Sequence, residues 1–232
     1  MTEKPGTDPK RREPGSVPVI AIDGPSASGK GTVAASVAKR LGFHYLDSGA
    51  LYRLVAMAAR EAGTQATDEA GLAHLARSMD IAFRDGSAWL AGRDVGAQLR
   101  SEEVGVAASQ VAARPAVRSA LLERQRALRR PPGLVADGRD MGSIVFPDAP
   151  LKVFLSADVA TRAERRYKQL KEKGMYAKMA DVVEELRQRD QRDSTRPVAP
   201  LKHYPDAVFL DTTGISADEA VAKILGWWRE KP

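Results

Sequence analysis

Residues 19–32, Val-Ile-Ala-Ile-Asp-Gly-Pro-Ser-Ala-Ser-Gly-Lys-Gly-Thr, constrain this chain more than any other stretch. A short apolar run of strand type meets a glycine turn. The turn leads into Val33, Val37 and Leu41, which repeat at helical spacing. The interval Gly24-x-x-x-x-Gly29-Lys30 is that of a phosphate-binding loop. Its glycines let successive backbone N–H groups turn inward around an anion, and the helix that follows aims its positive dipole end at the same place. Lys30 adds a full charge within reach of a nucleotide's β- and γ-phosphates. Gly24, Pro25, Ser26, Ala27, Ser28, Gly29, Lys30, Gly31 and Thr32 are therefore the candidate phosphate cradle, with Lys30 as a catalytic group.

The loop departs from the general pattern at one position. Gly31 stands where most such loops place the hydroxyl that ligates magnesium, and Thr32 follows one residue later. The sequence Gly-Lys-Gly-Thr resembles the nucleoside-monophosphate kinase branch of P-loop proteins. Thr32 is the candidate magnesium ligand within the loop.

Composition narrows the alternatives. With 232 residues, 43% of them hydrophobic, the chain can bury one good core and carry a small insertion. It has no cysteine, which excludes disulfides and thiolate metal sites and suits a reducing cytoplasm, the expected compartment. Three histidines argue against an imidazole zinc site. No apolar run approaches a membrane span. Residues 1–16 combine Pro, Gly and charge without a hydrophobic segment and read as a disordered tail. The net charge of +6 favours phosphate ligands, but aromatics are only 6% and do not interleave with the basic residues as in single-strand binders. Small phosphorylated molecules, without nucleic acid or membrane, are the expected partners, and a monomer the expected state.

Strand and helix patterns alternate through most of the chain, so the expected fold is α/β with a central parallel sheet and ligands at the carboxyl ends of its strands. Expected helices cover 30–41, 50–62, 68–78, 98–112, 115–130, 158–173, 178–193 and 216–230. Expected strands lie at 19–22, 43–46, 134–137, 152–155 and 207–211. Between 80 and 95, alternating runs joined by Asp85-Gly86 and Gly92 predict a small antiparallel meander.

Three further segments carry chemistry. Asp47-Ser48-Gly49-Ala50-Leu51-Tyr52-Arg53 places Ser48 and Arg53 where both can face one anion; a plain N-cap with a surface arginine fits equally well. Asp137-Gly138-Arg139-Asp140 follows a buried strand. Asp137 is placed either to act on magnesium through water or to hold the phosphate loop, and a surface turn is the simpler alternative. Between Arg162 and Arg196 both signs of charge interleave, as on a solvated helix face. Yet Arg162, Arg165 and Arg166 share neighbouring turns, as do Arg189, Arg192, Asp193 and Arg196. Arginines on two helices around a connection near Gly174 could close over a triphosphate as a short mobile lid, about 158–176. Arg162 and Arg166 are the catalytic candidates there.

Taken together, the blocks Ile22-Asp-Gly-Pro-Ser-Ala-Ser-Gly-Lys-Gly-Thr, Leu46-Asp-Ser-Gly-Ala-Leu-Tyr-Arg, Ala108-Ser-Gln-Val-Ala, Val135-Ala-Asp-Gly-Arg-Asp-Met-Gly and Arg189-Asp-x-Arg-Asp-Ser-x-Arg resemble the bacterial cytidylate kinase family, in family order and spacing across 17–230. The resemblance implies a P-loop nucleoside-monophosphate kinase fold with a five-stranded parallel sheet. Its core would comprise 17–63 and 132–232, and 64–131 would form an inserted subdomain for the monophosphate. It implies transfer of phosphoryl from ATP, with Mg2+, to CMP or dCMP. Ser48, Arg53, Arg139 and Arg196 would hold the CMP phosphate, and Ser109, Arg118 and Asp140 would read the cytosine. Arg189 and Asp193 would bind the sugar. Thr32 and Asp137 are the metal candidates. The rivals are another small-metabolite P-loop kinase, acting on UMP or shikimate, and a nucleic-acid-binding regulatory NTPase. The second lacks its guanine-reading Asn-Lys-x-Asp segment here.

Overall fold

A computed structural model describes residues 17–84, 86–172 and 174–231. The expected disordered tail, 1–16, lies outside the described residues. The run Val19–Asp23 forms β1, and its first four residues can all be apolar because both edges and both faces of the strand are covered. It pairs in parallel with β6 (Leu134–Gly138) on one side and β7 (Leu151–Ser156) on the other. With β2 (His44–Asp47) and β8 (Val208–Asp211) at the edges, the five-stranded parallel sheet has the order β2-β6-β1-β7-β8.

Alternate residues of these strands feed two separate cores. Ile20, Ile22, Val153, Leu155 and Leu210 pack on α1 (Lys30–Leu41) and α9 (Ala217–Arg229). Val19, Ala21, Leu134 and Ala136 face α2 (Ser48–Glu61), α5 (Glu102–Ala112) and α6 (Pro115–Arg126). This second core continues without a break into α3 (Glu69–Ser78) and the meander β3 (Ile81–Arg84), β4 (Ser87–Leu90) and β5 (Arg93–Asp94), which is antiparallel as its Asp-Gly turn predicts. A third, smaller cluster of Ala163, Leu170, Val182 and Leu186 packs α7 (Val159–Glu172) on α8 (Met179–Thr195). Among the described residues, no helix is long and apolar enough to cross a membrane.

Two local readings need correction. The helix expected over 98–112 is two helices, α4 (Gly96–Leu99) and α5. Ser101 breaks it by turning its hydroxyl onto the Val104 N–H as an N-cap. The segment after Arg139-Asp140, given no helix or strand in the sequence reading, contains a π-helical turn over Met141–Val145. Its first N–H groups are bonded by Asp23, at the end of β1: Met141 N–H donates to Oδ1 at 2.8 Å and Gly142 N–H to Oδ2 at 2.9 Å.

Candidate active site

The carboxyl ends of β1, β2 and β6 open onto one cleft of about 380 Å³. Its floor is the phosphate loop. Gly24 is fixed by crowding, because a Cβ there would sit 2.0 Å from the carbonyl oxygen of Leu155 on β7. The loop then turns through Ala27 (φ 58°) and Gly29 (φ 90°) into α1. Lys30 Nζ reaches back to the Pro25 carbonyl at 3.3 Å. Burial pushes the Lys30 ammonium down to about 8, and the nearby Arg139 guanidinium acts in the same direction. Asp137 ends β6 beside it and accepts the Tyr45 hydroxyl at 2.7 Å. Burial, reinforced by the carboxylate of Asp47 on the neighbouring strand, lifts the Asp137 carboxyl to about 6, while Lys30 pulls the other way. The lysine and this carboxyl therefore each favour the other's charged form against the burial that opposes it.

The loop is held from outside by α7. Arg165 donates to the Ser28 carbonyl at 3.1 Å and to the Thr212 carbonyl at 2.6 Å. Arg162 is buried, bonded to the carbonyls of Ala157 and Ser26 and paired with Asp190 at 2.7 Å. It lies beneath the loop and does not line the cleft, nor do Gly24, Pro25 and Ser28. Arg166 does line it, with its guanidinium paired to Glu102 at the start of α5.

The opposite wall carries the acceptor-side candidates. Ser48 and Arg53 come from the first turns of α2, with Asp47 as the N-cap that accepts the Ala50 N–H at 3.1 Å. Arg53 donates to the carbonyls of Leu99 and Ser101, at the break between α4 and α5. Gly105 leaves room for it: a Cβ there would approach the guanidinium nitrogens to 3.1 Å and 3.2 Å. Arg118, from α6, pairs with the buried carboxylate of Asp140 and lies 5.6 Å over the Tyr52 ring. Ser109, on α5, accepts from Arg192 at 3.3 Å. Arg139 bridges the two walls, donating to Asp193 at 2.7 Å and to the Ser26 hydroxyl at 3.0 Å.

Three guanidiniums are crowded here. Burial, with Arg139 nearby, pushes Arg189 down to about 10, and its Nε is buried without a partner. Arg196 Nη2 is likewise buried without a hydrogen bond, 3.9 Å from Asp140. Burial tends to raise the Asp193 carboxyl, yet Arg139, Arg189 and Arg196 together hold it below the ordinary carboxylate range. Such a cluster is built to receive an anion.

The structure thus brings Lys30, Ser48, Arg53, Ser109, Arg118, Asp137, Arg139, Asp140, Arg166, Arg189, Asp193 and Arg196 to one cleft, with Thr32 exposed on its rim. It also adds groups not singled out from sequence. Tyr52 falls one helical turn after Ser48 and was within reach of a periodicity argument. Glu102 and Asp190 act through partners far along the chain, Arg166 and Arg162, and no local pattern marks them.

Comparison with known proteins follows the same segments. A sequence model of the cytidylate kinase family matches residues 20–230. The cytidylate kinase of Chromobacterium violaceum is 57% identical over 216 residues, covering 93% of this chain and 97% of the relative. Those of Bordetella bronchiseptica and Nitrosomonas europaea are 57% and 54% identical, each covering 93% of this chain and 96% of the relative.

Proposed function

The chain belongs to the cytidylate kinase family, and from that premise we propose how its cleft moves the γ-phosphoryl group of ATP onto CMP or dCMP, giving ADP and CDP or dCDP. One observation carries the assignment of roles. A lysine-bearing phosphate loop and a buried Asp140–Arg118 pair face each other across a single cleft crowded with arginines. The loop takes the donor triphosphate. Arg53, Arg139 and Arg196 with Ser48 take the acceptor phosphate, and Arg189 and Asp193 take the sugar. Ser109, Arg118 and Asp140 take the base. A carboxylate accepts from the N4 amine of cytosine, whereas uracil offers an oxygen there, so Asp140 favours CMP over UMP. A UMP kinase is the reading it disfavours.

An oxygen of the CMP phosphate attacks the γ-phosphorus, that P–O bond forms as the bond to the β-phosphate bridging oxygen breaks, and ADP leaves. The attacking oxygen is already anionic, so no strong base is required. Lys30 neutralises charge on the transferring group. Arg166 does the same once it exchanges Glu102 for phosphate, and Arg162 shapes the loop through the Ser26 carbonyl. The lid assigned to 158–176 and the inserted subdomain at 64–131 are parts of this proposal. Arg166, which α7 brings to the cleft, supports a lid that delivers charge to the transferring group.

Magnesium fits as a companion of the nucleotide. Thr32 and Asp137 both line the cleft, and a hydroxyl and a carboxylate are the oxygen donors such an ion takes alongside phosphates. Thr32 and Asp137 would hold it, and it would neutralise the charge of the triphosphate. We also read the protein as a cytoplasmic monomer acting on small molecules.

The test is a coupled ATP-consumption assay across the four ribonucleoside monophosphates, with dCMP added. CMP and dCMP are expected to turn over well ahead of UMP, AMP and GMP. A preference for UMP, or no turnover with CMP, overturns the reading.

A further inference from the structure

Asp140 occupies the N-cap position of the 141–145 turn, yet its side chain makes no capping bond. Aspartate at an N-cap ordinarily folds back onto the first free N–H groups of its own helix. Here the Asp140 carboxylate points the other way, to Arg118 and toward Arg196. Of the N–H groups such a cap would take, that of Gly142 goes instead to the Asp23 carboxylate, which also accepts the N–H of Met141, one on each oxygen. Asp23 comes from the last position of β1, directly before Gly24, and 118 residues from Met141.

We propose that Asp23 is a positioning residue for recognition of the base: by capping the 141–145 turn in place of Asp140, it frees the Asp140 carboxylate to face Arg118 and the cytosine. This rests on Asp140 reading the base. Without Asp23, two buried N–H groups lose their acceptor, and the nearest replacement is Asp140 itself, which would then rotate away from Arg118. The loss falls on discrimination between bases more than on the donor loop.

The groups around Asp23 set how it responds to pH. Burial lifts its carboxyl to about 7, the Gly142 and Met141 N–H groups and Arg139 oppose that, and Asp140 adds to it. Across the small crevice on its other side stand Lys152 of β7, paired with Asp206 at 2.7 Å, and Lys202. Below about 7 the carboxyl takes a proton, one oxygen becomes a donor, and only one N–H can still be accepted.

The experiment measures Asp23→Asn, whose amide keeps one acceptor and turns a donor toward the second N–H. We expect the CMP/UMP ratio of kcat/KM to fall about ten-fold while the ATP KM stays within about two-fold. The ratio of wild-type to variant kcat/KM for CMP, in which ionisation of the substrate cancels, should rise through about pH 7. In an Asp140→Asn background, Asp23→Asn should remove no further discrimination. Should Asp23→Asn fail to fold, Asp23→Ser, which retains one acceptor, is measured the same way. An unchanged CMP/UMP ratio in the Asp23 variant, or an ATP KM that rises as much as the CMP KM, overturns the inference. If Asp140→Asn alone leaves the ratio unchanged, the base-reading assignment falls instead, and the inference with it.

Discussion

Lys30 and Asp193 show how much of the chemistry depends on where a single charge is kept. Lys30 is a full charge within the loop, so Lys30→Ala should lower turnover by about 10³ with little change in melting temperature, since charge at the transferring group is the main catalytic term. Its ammonium, pushed down to about 8 by burial, loses its proton as pH rises through that value. kcat/KM for ATP, which reports the free enzyme, should therefore fall above about pH 8, while kcat holds to higher pH because bound phosphates stabilise the ammonium. A pH series of initial rates separates the two. Asp193 is open to two readings, an ion pair on a solvated helix face or a sugar ligand, and the structure pairs it with Arg139. That pair is largely buried, so its loss strands a guanidinium. Asp193→Ala should cost about 3 kcal/mol of stability in denaturant titration, and should also raise the CMP KM with the ATP KM nearly constant. A stability loss with both Michaelis constants unmoved would leave Asp193 a purely structural partner.

Elements were legible in the sequence wherever their cause was local. The Val-Ile-Ala-Ile strand, the glycine loop and the helix of Val33, Val37 and Leu41 follow from contiguous residues, as does the Asp-Gly meander. The break at Ser101 has a local signal that the reading of one helix over 98–112 passes over: Glu102 and Glu103 stand one turn after Leu99 where apolar residues would continue the period, and Ser101 before them is an N-cap pattern. The 141–145 turn was hidden because the carboxylate that caps it lies in β1. The site divides the same way: Arg139 and Asp140 sit on a strand end where ligands gather, whereas Glu102 earns notice only through Arg166. Gly105 joins element to site. In a helix interior, alanine is worth about 1 kcal/mol more than glycine, but here its Cβ would press on Arg53. Gly105→Ala should raise or hold the melting temperature while lowering kcat/KM for CMP several-fold. A variant both more stable and fully active would show that Arg53 has room to spare.

At the scale of the whole molecule, the cleft sets several of its arginines against carboxylates: Arg118 with Asp140, Arg139 with Asp193, and Arg166 with Glu102. Among the described residues, Arg189 Nε and Arg196 Nη2 remain without a hydrogen bond, a cost to folding that an anion relieves. CMP at 100 times its Kd should therefore stabilise the protein by about 2.7 kcal/mol, or about 5–10 °C in Tm for a chain of this size. Cytidine, which lacks the phosphate, should shift Tm far less at the same concentration. Equal shifts would place the gain on the base and not on the arginine cluster. The arrangement of the sheet has a consequence in time. β1 leaves the ribosome early, yet both of its neighbours, β6 and β7, begin more than a hundred residues later. Until they arrive, Gly24 has no Leu155 carbonyl to crowd against and Asp23 no turn to hold. The segment encoded first is thus among the last to take its working shape, and a nascent chain that ends before residue 134 carries the whole loop sequence without the fold that makes it bind.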